Sequence, residues 1–160
     1  MSSAPDESTA YTTHGVRSVG VPADPTEIAG LRVVLRRWLA DLPMDEDRRQ
    51  DILLASYEAL ANAVEHAYSP GDSNATLDLT ADFLPHEGEL VVRVADHGSW
   101  HDAVSSDARR SRGHGLTLIR SLADGVDVSP GPTGTIVEMR WSLPSGDDLR
   151  GDGLPAHDAS

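Results

Sequence analysis

Four short stretches of the chain carry side chains whose types and spacing can do chemistry. In "EALANAVEHAY", Glu58 and Asn62 stand four residues apart and share one face of a helix, with Glu65 and His66 beside it. Alone, such a pair is usually a solvated stripe. Asn is nevertheless a poor interior helix residue. Its amide oxygen is a suitable hard ligand for Mg²⁺, which prefers oxygens and keeps waters. A carboxylate one turn away can orient or deprotonate a hydroxyl. In "VVRVADHGSW", an apolar run ends in Asp96, and Gly98 follows. An Asp at a strand end can accept from an exocyclic amine such as adenine N6, and Gly98 lets a flat ring approach the backbone. The plain alternative is a capped strand end with a turn glycine. In "RGHGLTLIRSLAD", Gly113 and Gly115 flank His114 and precede a helix that starts near Leu116. Amides at such a start are a natural phosphate site, and Arg109, Arg110 and Arg112 add guanidinium groups that pair with phosphate oxygens. Last, "GTIVEMRW" opens a strand with Gly134 and Thr135.

Composition narrows the chemistry. The chain has 160 residues, no cysteine and a formal net charge of −13, from 13 basic against 26 acidic residues. Disulfides, thiolate zinc sites and cysteine nucleophiles are excluded. All the basic residues are arginines, so a P-loop, which needs a lysine, is excluded too. The acidity argues against nucleic acid as a direct partner. No apolar run reaches membrane-spanning length, and the N-terminus lacks a basic start and an apolar core, so it does not read as a signal peptide. A cytoplasmic protein is expected. His97, His101 and His114 with Asp96 and Asp102 suggest a metal site, but Gly98 and Ser99 break the helical spacing of the first two. No G-x-S-x-G elbow supports Ser-His-Asp hydrolysis. Among ordinary reaction classes, the remaining parts favour a nucleotide with magnesium.

The elements that must position these residues can be read from periodicity. "VRSVGVP" (16–22) predicts a strand with Val16, Val19 and Val21 apolar. Ile28, Leu31, Val34, Leu35, Trp38 and Leu39 predict a helix over about 24–40, with Pro25 in its first turn. "MDEDRRQDILLASYEALANAVEHAY" is the longest helical signal, with acid at its start and an apolar face of Ile52, Leu53, Tyr57, Leu60, Ala61 and Val64. "ATLDLTADF" alternates as a half-buried strand, and "ELVVRVAD" reads as a central one. The next stretch, 97–115, is a loop of about 19 residues, a length that points to function. "LTLIRSLAD" predicts a short helix. "GVDVSP" and "GTIVEMRWSL" predict two strands, the latter with Ile136 or Val137, Met139 and Trp141 as core. The order β-α-α-β-β-loop-α-β-β predicts an α+β fold, a two-layer sandwich with helices on one face of a mixed, mostly antiparallel sheet. Residues 1–15 and 144–160 read as disordered tails around a domain at 16–143. The initiating Met and the polar tails suggest a whole chain.

The four pieces, in this order, resemble the Bergerat ATP-binding fold of the GHKL superfamily of gyrase, histidine kinase and MutL proteins. "EALANAVEHAY" is similar to its N-box, "DHGSW" and "RGHGLTLI" to its two glycine boxes, and "GTIVEMRW" to its closing Gly-Thr strand. Within that superfamily the chain most resembles bacterial anti-sigma-factor serine kinases. The resemblance implies ATP and Mg²⁺ as cofactors. It implies two protein partners, a sigma factor held inactive and a STAS-domain antagonist phosphorylated on serine, and a possible homodimer joined near residues 16–40. It implies that Asn62 coordinates the magnesium, with His66 on the same side, and that Glu58 orients or deprotonates the substrate serine. Asp96 would bind adenine N6, with Gly98 allowing close approach and Thr135 supporting the Asp96–water network. Gly113, His114, Gly115 and Leu116 would hold the phosphates, and Arg110 or Arg112 would offset γ-phosphate charge. Residues 99–112 would close as a lid. Trp100 stands where the family commonly has a second glycine, and is placed under the lid or beside the adenine. A non-catalytic module that binds ATP and sequesters a partner is the alternative. A sensor histidine kinase domain fits less well, because no helical phosphoacceptor segment precedes the domain, and gyrase- or MutL-like ATPases need a transducer domain.

Overall fold

The computed structural model describes residues 15–67, 75–97, 116–131 and 134–144. Apart from Gly15 and Pro144, the two expected tails lie outside the described residues, as does the stretch 98–115. Five strands form one sheet: β1 (Val16–Pro22), β2 (Thr76–Leu84), β3 (Glu89–Asp96), β4 (Gly125–Gly131) and β5 (Gly134–Ser142). Two long helices, α1 (Pro25–Ala40) and α2 (Glu46–Ala67), follow β1, and the described part of a third, α3, covers 116–122 before β4.

Local chemistry sets the helix ends. Asp24 caps α1, its Oδ1 accepting from the Thr26 amide at 2.7 Å, and Pro25, which has no N–H to satisfy, takes the first turn. Asp45 does the same for α2, accepting from the Arg48 amide at 2.7 Å. Arg49 joins the two helices: its Nε donates at 3.2 Å to Leu39 O at the end of α1, which also accepts from the Leu42 amide at 3.2 Å. The Gln50 amide and the Arg49 guanidinium hold the Glu46 carboxyl below the usual carboxylate range.

The sheet order is β1-β2-β3-β5-β4, antiparallel at every pairing among the described strands. The chain passes from β3 through α3 to the far edge, then turns back by a hairpin, so β5 runs beside β3 in the opposite sense. This places the apolar β3 in the interior of the sheet, as its sequence predicts. Its Leu90, Val92 and Val94 share an inner face with Leu77, Leu79, Ala81 and Phe83 of β2 and with Met139 and Trp141 of β5. Ile28, Leu31, Leu35 and Leu39 of α1 and Ile52 and Leu60 of α2 complete that core.

Three expectations about the core differ in the structure and one alternative is settled; the first is Val34 of α1, expected on the apolar face and 46% exposed. On α2, Ile52, Leu53 and Leu60 are buried as expected, together with Ala55, Ser56, Ala59 and Ala63, while Tyr57, Ala61 and Val64 are half-buried. Val19 is 73% exposed: β1 carries a register shift between Ser18 and Val21, centred on Gly20 with φ +68°, which breaks the alternation. Of the two candidates on β5, Val137 faces the core and Ile136 is 45% exposed, since Thr135, Val137, Met139 and Trp141 share one pleat face.

Ion pairs populate the opposite face of the sheet. Arg93 Nε meets Glu138 at 2.5 Å and Arg140 meets Asp127 at 2.8 Å. The carboxylates of Asp127 and then Glu138 raise the Arg140 pKa further above its ordinary value. No helix among the described residues is long and apolar enough to cross a membrane.

Trp141 is fully buried, and its Nε1 donates to Leu122 O at 2.8 Å. Trp141→Phe leaves that carbonyl without its partner and is expected to cost about 1–3 kcal/mol of unfolding free energy, read as a lower urea midpoint with unchanged slope.

Candidate nucleotide site

The α2 face that meets the sheet is lined by alanine. Where Ala59 and Ala63 approach β3 and β5, their small side chains leave a cavity of about 160 Å³. Its other lining residues are Asn62 on α2, Val94 and Asp96 on β3, Leu116 on α3, Val128 and Pro130 on β4, and Thr135 and Val137 on β5. The volume is close to that of an apolar protein cavity of ~150 Å³ that accepts benzene. The space therefore suits a flat ring, and the rest of a larger ligand would project beyond it.

The polar groups in this apolar slot are few and specific. Asp96 is 5% exposed. Its Oδ1 accepts from the Thr135 amide at 3.2 Å, which offsets part of the cost of burying a carboxylate. Thr135 Oγ1 is buried and has no hydrogen-bond partner among the described residues. A buried hydroxyl without a partner costs free energy, and here it belongs to a residue lining a cavity, where a ligand or water can satisfy it. An ionised carboxylate only accepts, so a ring with an exocyclic N–H is the complementary guest.

Gly134 makes this arrangement possible. Its φ is +147°, and a Cβ there would lie 1.8 Å from the Asp96 carbonyl oxygen. Any other residue would force β5 away from the end of β3 and separate Thr135 from Asp96. Beyond the cavity, His97 Nε2 lies 2.7 Å from Asp78 Oδ2, and Asp78 Oδ1 accepts from the Gly20 amide at 2.8 Å. These contacts tie the residue after Asp96 to β2 and to the β1 bulge.

Asn62, Asp96, Leu116 and Thr135, singled out in the sequence, thus meet at one cavity. Glu58 does not line it: half-buried, it stands one turn before Asn62 on α2 and has no ion-pair partner among the described residues. Gly98, Trp100, Arg110, Arg112, Gly113, His114 and Gly115 lie outside the described residues, as does the His66 side chain. The sequence reading overlooked the Gly134 contact and the walls made by Ala59, Ala63, Val94, Val128, Pro130 and Val137. Ala59 and Ala63 at i, i+4 in a long helix are the one local signal that the helix leaves room there.

The structure thus sets a ring-sized slot ending in a carboxylate between helices and an antiparallel sheet. The sequence matches the model of the histidine kinase-like ATPase domain over residues 21–141, and the chain belongs to that family. It is 30% identical over 128 residues to the serine-protein kinase RsbW of Listeria monocytogenes serotype 4a (strain HCC23), covering 72% of this chain and 80% of that one. It is 28% identical over 134 residues to the serine-protein kinase RsbW of Bacillus pumilus (strain SAFR-032), covering 76% and 82%. Among solved structures, it is similar to the RsbU and RsbW domains of Rv1364c from Mycobacterium tuberculosis, with a TM-score of 0.64 and 26% identity. That match covers 82% of this chain and 33% of the other. The histidine kinase domain of the Erythrobacter litoralis EL346 blue-light activated histidine kinase shares the fold, with a TM-score of 0.55 at 22% identity.

Two substitutions separate the roles of these groups. Thr135→Val removes a buried hydroxyl without a partner, so stability is expected to hold or to rise by up to ~1 kcal/mol. Affinity for an adenine nucleotide is expected to fall on the order of tenfold by calorimetry. Gly134→Ala is expected to lower unfolding free energy by more than about 2 kcal/mol and to abolish binding.

Proposed function

We propose that the chain is an ATP-dependent serine protein kinase and anti-sigma factor of the cytoplasm. It phosphorylates a STAS-domain antagonist and, when that antagonist is not engaged, sequesters a sigma factor. The observation that carries the reading is the buried Asp96 carboxylate at the cavity, with Thr135 Oγ1 beside it lacking a partner and Gly134 allowing the contact. The similarity to serine-protein kinases RsbW supports the choice of a protein serine as acceptor.

The residues fit this chemistry. Asp96 accepts from the exocyclic amine of adenine, and the apolar walls exclude water from the ring. Asn62 supplies an oxygen donor at the cavity, which suits Mg²⁺, an ion that takes few protein ligands and keeps waters. Magnesium, when bound, offsets the charge of the phosphate chain. Glu58, on the same helix face as Asn62, orients the acceptor hydroxyl. It takes the proton as that oxygen bonds to the γ-phosphorus and ADP leaves. Gly113, His114, Gly115 and the Leu116 amide are assigned to the phosphates, and Arg110 or Arg112 to γ-phosphate charge.

The test is incubation with ATP, Mg²⁺ and a candidate STAS protein. Phosphate is expected on a serine of the STAS protein, and Glu58→Gln is expected to slow its appearance by roughly 10²–10⁴-fold, with ATP affinity kept. Asp96→Asn, which places a donor beside the amine, is expected to weaken ATP binding by roughly tenfold or more. A second reading is a nucleotide-binding module without transfer. It draws on Trp100, which stands where the related boxes commonly have glycine. ATP binding with no transfer to any serine would favour that reading.

A further inference from the structure

At the end of the domain opposite the cavity, one ion pair holds three elements together. The Arg48 guanidinium, on the first turns of α2, donates to Asp124 Oδ2 and, at 2.9 Å, to Ser142 O at the end of β5. The same Asp124 oxygen accepts from the Ser142 amide at 2.7 Å, and the Asp124 amide donates to Arg140 O at 2.9 Å. Asp124 lies two residues beyond α3, whose last residue, Leu122, accepts from Trp141 Nε1 at 2.8 Å.

Each element fixed here contributes cavity wall further along its length. On α2 these residues are Ala59, Asn62 and Ala63; on α3, Leu116; on β5, Thr135 and Val137. Along α2 the separation from Arg48 to Asn62 is about 21 Å, and along β5 from Ser142 to Thr135 about 24 Å. Along α3 it is only about 9 Å from Leu116 to Leu122. Among the described residues, α3 is held by three anchors. These are the fully buried Ile119, the Trp141 bond to Leu122 O, and Asp124.

We propose that Arg48 and Asp124 are positioning residues for the nucleotide cavity: by locking the C-terminal end of α3 to α2 and β5, they hold Leu116 as its wall and set affinity for the adenine ring without touching it. The proposal rests on the adenine reading of the cavity. It assigns a binding role to two residues on the far side of the domain, one of them at the opposite end of α2 from Asn62.

The probe is adenosine, which has the ring and no phosphates, titrated by calorimetry into the full chain. Asp124→Asn keeps an acceptor for the Ser142 amide and removes the charge; Arg48→Met keeps the apolar stem and removes the donor. Each is expected to weaken adenosine binding roughly three- to thirtyfold, the range for coupling through a packed network. The double variant is expected to be no weaker than either single one. Asp124→Asn combined with Leu116→Ala is expected to lose less than the sum of the two. In the ligand-free protein, amide exchange at 119–123 is expected to quicken in both clamp variants, while the exchange of β3 amides and the urea midpoint stay near wild type. Unchanged exchange at 119–123 would overturn the proposal, as would adenosine affinity equal to wild type or losses that track the urea midpoint. A wild-type chain that binds no adenosine would instead remove the adenine reading, and the exchange of 119–123 would then judge the clamp by itself.

Discussion

The structure depends on keeping one carboxylate out of water. Asp96 ends the central strand with its side chain turned inward, and such a group is tolerated only where donors meet it. The Thr135 amide is one such donor, and it reaches Asp96 because β3 and β5 are adjacent and antiparallel. That adjacency in turn requires residue 134 to have no side chain, since the Asp96 carbonyl oxygen occupies the place of a Cβ. A single glycine therefore links the topology of the sheet to the chemistry of the cavity.

The helical layer leaves the space that the sheet makes polar. Alanine at 59 and 63 keeps α2 close to the sheet without filling the gap, while Ile52 and Leu60 on the same helix fill the core beside it. The outer face of the sheet is treated differently. Arg93, Glu138, Arg140 and Asp127 pair with one another there, in a chain with twice as many acidic as basic residues. One face is thus committed to the core and the ligand slot, and the other to solvent-facing ion pairs.

Much of the fold could be read locally. The helical spacing from Ile28 to Leu39, the alternation from Leu77 to Phe83 and the near-continuous apolar run from Leu90 to Val94 all describe how a segment faces its neighbours, and burial follows those patterns except at the exposed Val34. The local rule failed where the backbone is irregular or a face is ambiguous. Gly20 turned Val19 outward, and Ile136 and Val137, both apolar and adjacent, could be assigned only by the pleat. For the candidate site, the polar residues announced themselves by type and position. The walls did not, because Val128, Pro130 and Val137 look like any strand residues until the sheet order brings them to the α2 alanines.

Residue types and periodicity alone determined the order of helices and strands, the inward face of most of them, and the short list of groups able to hold a base, a metal or a hydroxyl. They could do so because capping, alternation and helical spacing are local properties of the backbone. The tertiary structure alone decided that Asp96, Thr135, Asn62 and Leu116 border one cavity, that Gly134 is the contact on which it turns, and that Arg48 meets Asp124 across 76 positions of chain. Such meetings depend on strand order and register, which arise when the whole core packs and leave no trace in a short stretch of sequence.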